Sequence, residues 1–463
     1  MKFMGAALLA AMLGMSLPAA AADAVVDRLQ QKIAQDPYPE YLATTLVNEV
    51  GPRFAGSDGY EHAVLWALQK LSAAGLKNVR AEPVILPRWV RGETRVELVT
   101  SGVDSLPLTA VALGGSVGTD EYGVEADVIR VESLEQLRQL SVVQVRGRVV
   151  FIDWRMPRTR DASGYGQGYP LRAFGPAEAG KRGAAAILIR TLSTANDDAP
   201  HTGGTLYGDA PKIPALALSN LAADRLAAAL RAGAATVRIK LHTHELGAVY
   251  SSQVVAEVPG QTSDIVLLGA HLDSWDVTPG ADDDAAGVAI VSSAARAIMK
   301  YAKKPKRTIR VVLYANEEFG GSGAKAYAET HADELGRHVL AMEADLGSGP
   351  VWRLGTRLPL QAEYFRRALL AALAPYGTED GPRDDRGGSD IGVLRDAGVP
   401  VLAPLQDATR YFDVHHATTD TVDHLDRAGL RQNVAVYATA AWIAANWAEP
   451  IGRLPPPEPA PAP

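Results

Sequence analysis

The chain has 463 residues, 47% of them hydrophobic and 21% charged, with 46 Lys+Arg against 53 Asp+Glu and a formal charge of −7. That balance excludes a disordered chain and is long enough for two or more domains, while the lack of a long basic run speaks against nucleic-acid binding. No cysteine is present, which excludes disulfides, thiolate metal ligands, a cysteine nucleophile and a lipoprotein anchor.

Residues 1–22 read as a secretory leader: Lys2, an apolar stretch, then small residues ending at Ala22. A membrane anchor is the rival reading, but the stretch is short and ends in a cleavage-like "AAA". The expectation is an exported protein, periplasmic or secreted, with no membrane contact after cleavage. Residues 23–103 open with amphipathic helices in "AVVDRLQQKIAQ", "YPEYLATTLVNEV" and "YEHAVLWALQKLSAAG". Strands come next, in "VRAEPVILPRWVRGETRVELV".

From 104 to 245, short β-type runs such as "GRVVFIDW", "AAAILIR" and "IPALALS" alternate with glycine- and proline-rich loops. Two short helices, "FGPAEAGKRGA" and "LAADRLAAALRAG", lie between them. No cluster of potential ligands occurs here, so the segment is expected to be a smaller β-rich insert that shapes or covers a site. His242 and His244 share a strand face, but without a third ligand they read as a solvated face.

Residues 246–448 alternate strands with helices of up to eighteen residues, which predicts an α/β fold. Its centre is a mostly parallel sheet with helices on both faces, and sites in such sheets form at the carboxyl ends of the strands. "DIVLLGA" leads into His271 and Asp273, with Asp283 on the following loop. "TIRVVLYA" leads into Asn316, Glu317 and Glu318, "HVLAMEA" into Asp345, and "VPVLAPL" into a loop with His415 and His416. Acids at one helix N-terminus are ordinary capping, but four strand ends carrying acid or histidine call for a cation. Imidazole and carboxylate without thiolate suit zinc, and a shared carboxylate admits two ions. A calcium loop is the alternative for "ADDDAAG", which lacks the spaced acidic pattern and distant glutamate of such loops. The chain closes in a proline-rich tail, 449–463, expected to be disordered.

The motifs "GAHLDSWDVTPGADDDAAG", "YANEEFGGSGAKAY", "MEADLG" and "HHATTDT" resemble those of the di-zinc exopeptidase family that includes carboxypeptidase Q and the bacterial leucyl-type aminopeptidases. The resemblance covers residues 250–450, and "LPRWVRGE" and "LGGSVGTDEYG" are most similar to the carboxypeptidase Q members. Segment 104–245 resembles the protease-associated domain that such enzymes often carry. The resemblance implies the zinc exopeptidase fold and two Zn²⁺, with His271 and Asp345 on one ion, Glu318 and His416 on the other, and Asp283 between them. It implies Glu317 as general base and Asp273 as the residue that orients His271 through its second ring nitrogen. Family spacing selects Asp283 over its neighbours, and His416, four residues before Asp420, over His415.

The implied reaction is hydrolysis of dipeptides and short peptides with free termini by a metal-bridging hydroxide, Glu317 handling the proton. Ser389 and Asp390 in "RGGSD", and "TRYF" at 409–412, are candidate substrate loops, and a homodimer is the implied oligomer. Two other classes compete. A non-catalytic zinc-binding relative would keep the ligands without turnover. A serine hydrolase would use Ser116 in "GGSVG", a motif that needs a strand before it and a helix after it. The next residues along the chain, "TDEYGVEADVIRV", read as turn and strand.

Overall fold

The computed structural model describes residues 19–99 and 105–455. The leader-like segment lies outside the described residues up to position 18, and the proline-rich tail lies outside them from position 456.

Four parallel strands form the centre of the sheet, in the spatial order Val401–Gln406, His338–Glu343, Ile265–His271, Thr308–Tyr314. Ile265–His271 is buried at all seven positions, as a strand covered on both faces must be. Val351–Arg357 and Thr236–Val258 flank this core antiparallel on either side. Helices Ala286–Tyr301 and Arg427–Asn446 pack on one face together with Ala19–Ile33 and Tyr38–Thr45. On the other face Ile391, Leu394, Ala324 and Tyr327 close over Tyr314 and Leu267. The architecture is the expected mixed α/β one, with a mostly parallel sheet between helices.

A long ribbon leaves this core. Lys77–Val99 and Thr236–Val258, 23 residues each, run antiparallel along almost their whole length. Its far half carries the inserted lobe, where Val124–Val131, Val149–Ile152, Ala186–Arg190 and Ala215–Leu218 are successive parallel neighbours and Ala110–Ala112 closes the edge antiparallel. Three features differ from the sequence expectation. The lobe is an α/β layer, not a β-rich one: helix Ser163–Lys181 joins two of its parallel strands, and Asn220–Ala232 leads from the last of them back into the ribbon. The boundary expected at 245 falls inside one continuous strand, so the lobe is tied to the core through the main sheet. Helix Ser163–Lys181 also starts well before "FGPAEAGKRGA", running through glycine-rich sequence that propensity alone would leave as loop. Packing outweighs propensity there: a Cβ on Gly168 would come within 2.6 Å of the Trp154 ring.

The tail is corrected in part. Ile451 and Leu454 are buried, Leu454 N–H donates to Gly398 O at 2.9 Å, and Arg453 donates to the Leu335 and His338 carbonyls. Residues 451–455 therefore pack on the core, since two apolar side chains find a surface before the prolines begin. Among the described residues, no helix is long and apolar enough to cross a membrane.

Beneath the sheet, His338 is fully buried, its Nδ1 3.0 Å from Glu334 O and its Nε2 2.8 Å from the Tyr327 hydroxyl. Burial pushes its pKa down to about 4. A histidine depressed in this way stabilises the fold above its unfolded pKa of about 6.5, and that stability is lost as pH falls toward about 4. At pH 5 the loss attributable to His338 should be roughly 2 kcal/mol. Urea unfolding of wild type and His338→Gln at matched metal content checks this, because the variant should show the shallower decline between about pH 6.5 and 4.

Candidate metal centre

All the strand-end acids and histidines converge at one edge of the parallel core. His271 ends the strand Ile265–His271, and Asp283 follows on the turn Ala281–Ala285. Glu317 and Glu318 follow Thr308–Tyr314, Asp345 follows His338–Glu343, and His415 and His416 lie on the loop after Val401–Gln406. His271 Nε2 lies 3.1 Å from Asp283 Oδ1 and 3.3 Å from Asp345 Oδ1. On the other side, His416 Nε2 lies 3.2 Å from Asp283 Oδ2 and 2.8 Å from Glu318 Oε2. The two oxygens of Asp283 thus face two separate donor groups. His415 is also near, 3.6 Å from Asp283 Oδ2, but its ring lies stacked on that of His416 at a centroid distance of 3.6 Å.

Only one residue of the aspartate triplet is free to serve this centre. Asp282 Oδ1 accepts from the Ser348 amide at 2.9 Å and from its hydroxyl. Asp284 accepts from the amides of His271 at 3.2 Å and Gly287 at 2.8 Å. Gly287 has to be a glycine, since a Cβ would sit 2.1 Å from Ala344 O. Asp420, fully buried, accepts from the amides of Asp282 at 2.8 Å and Asp283 at 3.1 Å and so fixes the turn. Arg53, also fully buried, donates to the carbonyls of Leu272, Pro279 and Gly280 and braces the preceding loop.

Asp273 sits differently from expectation. His271 Nδ1 is 3.0 Å from the Asp273 main-chain oxygen, whereas the carboxylate is 3.7 Å away. The carboxylate instead accepts from the amides of Glu317 at 3.1 Å and Glu318 at 3.4 Å. Two amides at the start of a tight loop draw a carboxylate more strongly than one imidazole N–H already paired to a carbonyl. Asp273 therefore orients His271 through its backbone and the glutamate pair through its side chain.

The electrostatics describe a centre in which buried carboxylates crowd two histidines. Burial raises Glu318 to about 7, helped by the charge of Asp283, and raises Glu317 well above the usual carboxyl range, helped by Asp345. Burial alone would lower His416, yet Glu318 and Asp283 carry it up to about 9. Asp283 Oδ2 and Glu318 Oε1 are buried with no hydrogen-bond partner. Orphaned carboxylate oxygens buried beside imidazole nitrogens are atoms a cation would take. Two groups meet metal-ligand spacing among the described residues: His271, Asp283 and Asp345, and Asp283, His415 and His416. The donor set fits zinc.

A cavity of about 480 Å³ opens beside Asp345, walled by Leu346, Arg386, Ser389, Arg395 and Gln406. Ser389 lines it and donates its amide to Glu343 Oε1 at 3.0 Å. Asp390 does not line it; it is 1% exposed, with both carboxylate oxygens unpartnered. In "TRYF", Tyr411 and Phe412 are buried, and Phe412 stacks on Tyr165 of the inserted lobe at 4.9 Å. That segment is a joint between lobes.

The remaining sequence candidates stay apart from the centre. His242 and His244 are exposed on the ribbon. Ser116 Oγ accepts from Ala215 N–H at 2.8 Å and is followed by a turn and the strand Val124–Val131, so no nucleophile elbow forms.

A family model described as Peptidase family M28 matches residues 253–441. Carboxypeptidase Q of Mus musculus is 32% identical over 412 residues, covering 88% of this chain and 86% of that protein. A crystal structure of a peptidase M28 precursor from Shewanella amazonensis superposes with a TM-score of 0.92 at 39% identity, covering 95% of this chain and 100% of the other. A zinc aminopeptidase from Bacillus subtilis shares the fold, with a TM-score of 0.63 at 18% identity over 90% of this chain and 97% of its own. Strand-end carboxylates and histidines around one shared aspartate, on a chain this similar along its length to such proteins, place it in peptidase family M28.

Proposed function

We propose that this protein is a zinc-dependent exopeptidase acting on dipeptides and short peptides with an unblocked N-terminus. The observation that carries the reading is the division of the Asp283 carboxylate, one oxygen toward His271 and the other toward His416. His271 and Asp345 would hold one ion, Glu318 and His416 the second, and Asp283 both. Bound zinc would offset the carboxylate charge, acidify water and polarise a scissile carbonyl.

The chain's own residues do the rest. Glu317 is less buried than Glu318, and its raised proton affinity suits it to take a proton from the attacking water and pass it to the departing amine nitrogen. Asp273 holds the amides of both glutamates, so the base and the neighbouring ligand keep a fixed relation. The cavity beside Asp345 would receive a chain end, and the carboxylates of Asp345 and Glu343 that line it would favour a free ammonium group. A relative called carboxypeptidase Q and a structural neighbour called a zinc aminopeptidase both support a chain-end specificity. The leader-like residues 1–22 support action in the periplasm or outside the cell.

Chain-end specificity is tested by blocking the end. N-acetylating a good dipeptide substrate should lower kcat/KM at least about tenfold, equivalent to about 1.4 kcal/mol of transition-state binding. Equal rates on blocked and free peptides, or efficient cleavage inside a folded protein, would refute the exopeptidase reading.

A further inference from the structure

The inserted lobe touches the centre itself, at Thr202. Its amide donates to His416 O at 3.1 Å, and its carbonyl oxygen lies 3.3 Å from His416 Nδ1. Thr202 is 1% exposed, and its hydroxyl donates to Ala112 O at 2.9 Å, which ties the contact to the lobe's edge strand. Arg172, also buried, donates from Nη1 to the same Thr202 carbonyl at 3.4 Å and from Nη2 to the Tyr165 hydroxyl at 2.8 Å. The next residue, Gly203, has φ +139°, and a Cβ there would lie 2.3 Å from the Arg172 guanidinium. His416 itself has φ 63°, a left-handed backbone that histidine seldom adopts unless its surroundings hold it.

The two histidines of the centre are thus oriented from different places. His271 Nδ1 is paired with Asp273 O, two residues along its own loop. The partner of His416 Nδ1 is 214 residues away, in the other lobe. With Nδ1 turned to a carbonyl, Nε2 is the ring nitrogen left for a metal beside Glu318 and Asp283.

We propose that Thr202 is a positioning residue which fixes the backbone, ring orientation and tautomer of His416, so that the Glu318–His416 half of the centre is complete only when the inserted lobe is docked. The lobe is then part of the metal-holding apparatus as well as a wall of the cleft. The His271–Asp345 half needs no such help. By linkage, metal in the dependent half must in turn strengthen docking of the lobe. The inference rests on the two-metal reading of the centre.

The test uses the full chain, stripped of metal and titrated with zinc by calorimetry. Wild type should show two uptake steps. Gly203→Ala, which drives Arg172 and the Thr202 carbonyl apart, should weaken one step by about 10- to 100-fold and leave the other within about twofold. Thr202→Pro, which removes the amide donated to His416 O, should do the same. Adding either change to His416→Ala should weaken that step little further, because the contact it disturbs is already gone. Val143→Ser, on an exposed face of the lobe, should match wild type. Amide exchange in residues 198–206 of the wild type should slow on zinc loading.

Folded variants that bind both ions as wild type does, or that weaken both steps alike, would overturn the inference. If both variants fail to fold, unchanged exchange in residues 198–206 on zinc loading overturns it, and slowed exchange supports it. A wild type that takes up fewer than two ions would instead overturn the two-metal reading.

Discussion

Glu317→Gln is expected to lower kcat by roughly 10²- to 10⁴-fold while metal content and melting temperature stay at wild-type values. Glutamine keeps the size and shape of the side chain, and the main-chain amide that anchors the loop to Asp273 is untouched. What disappears is a carboxylate beside the ligands that can accept a proton and release it again. Its proton affinity is raised first by burial and then by Asp345, the condition a base needs to act near neutral pH. Two measurements decide the assignment: single-turnover hydrolysis of a dipeptide, and metal analysis of the same sample. A variant that loses metal in step with activity would make Glu317 a ligand. A variant with near wild-type turnover would remove it from the chemistry altogether.

The strand-end positions are legible in the sequence because a parallel α/β sheet leaves little choice about where its functional groups collect. Continuous apolar runs such as "DIVLLGA" announce strands buried on both faces, and whatever polar residue comes next emerges at the same edge. His271, Glu318, Asp345 and His416 obey that rule, and the structure brings all four around Asp283. Their supports are not legible. Arg53 reads only as part of a turn, yet it braces the loop that ends at Asp283, more than 200 residues later. Thr202 lies in a segment read as holding no cluster of potential ligands, and its contribution is a main-chain carbonyl that any residue carries. Asp273 stands out in the sequence, but it meets the second ring nitrogen of His271 through its backbone, and its side chain holds the glutamate amides instead. The lobe helix Ser163–Lys181 is obscure for another reason: its glycines are chosen for close packing, so local propensity points away from the fold. A sequence pattern carries burial and chain direction well, and it carries contacts between distant backbone atoms poorly.

Asp283→Ala should be the most damaging single change, costing both metal ions and activity by more than about 10³-fold. The reason is a count of donors. With Asp283 present, each half of the proposed centre has three protein donors: His271, Asp345 and Asp283 in one, His416, Glu318 and Asp283 in the other. Zinc sites of the catalytic kind keep three protein ligands, and alanine here leaves two in each half at once. Asp345→Ala strips a ligand from one half only, so it should retain one ion where Asp283→Ala retains none. Asp282→Ala makes the complementary control. Its carboxylate is engaged by Ser348, so its loss should cost stability before it costs metal. Metal analysis after dialysis against a weak chelator should therefore give about two ions per chain for wild type, about one for Asp345→Ala and fewer than one for Asp283→Ala. Added zinc should raise the melting temperature of wild type and leave that of Asp283→Ala almost unmoved, since a ligand stabilises only the fold that binds it. An Asp283→Ala protein that holds two ions through dialysis would show that the carboxylate is not shared, and the reading of the centre as co-catalytic would fall with it.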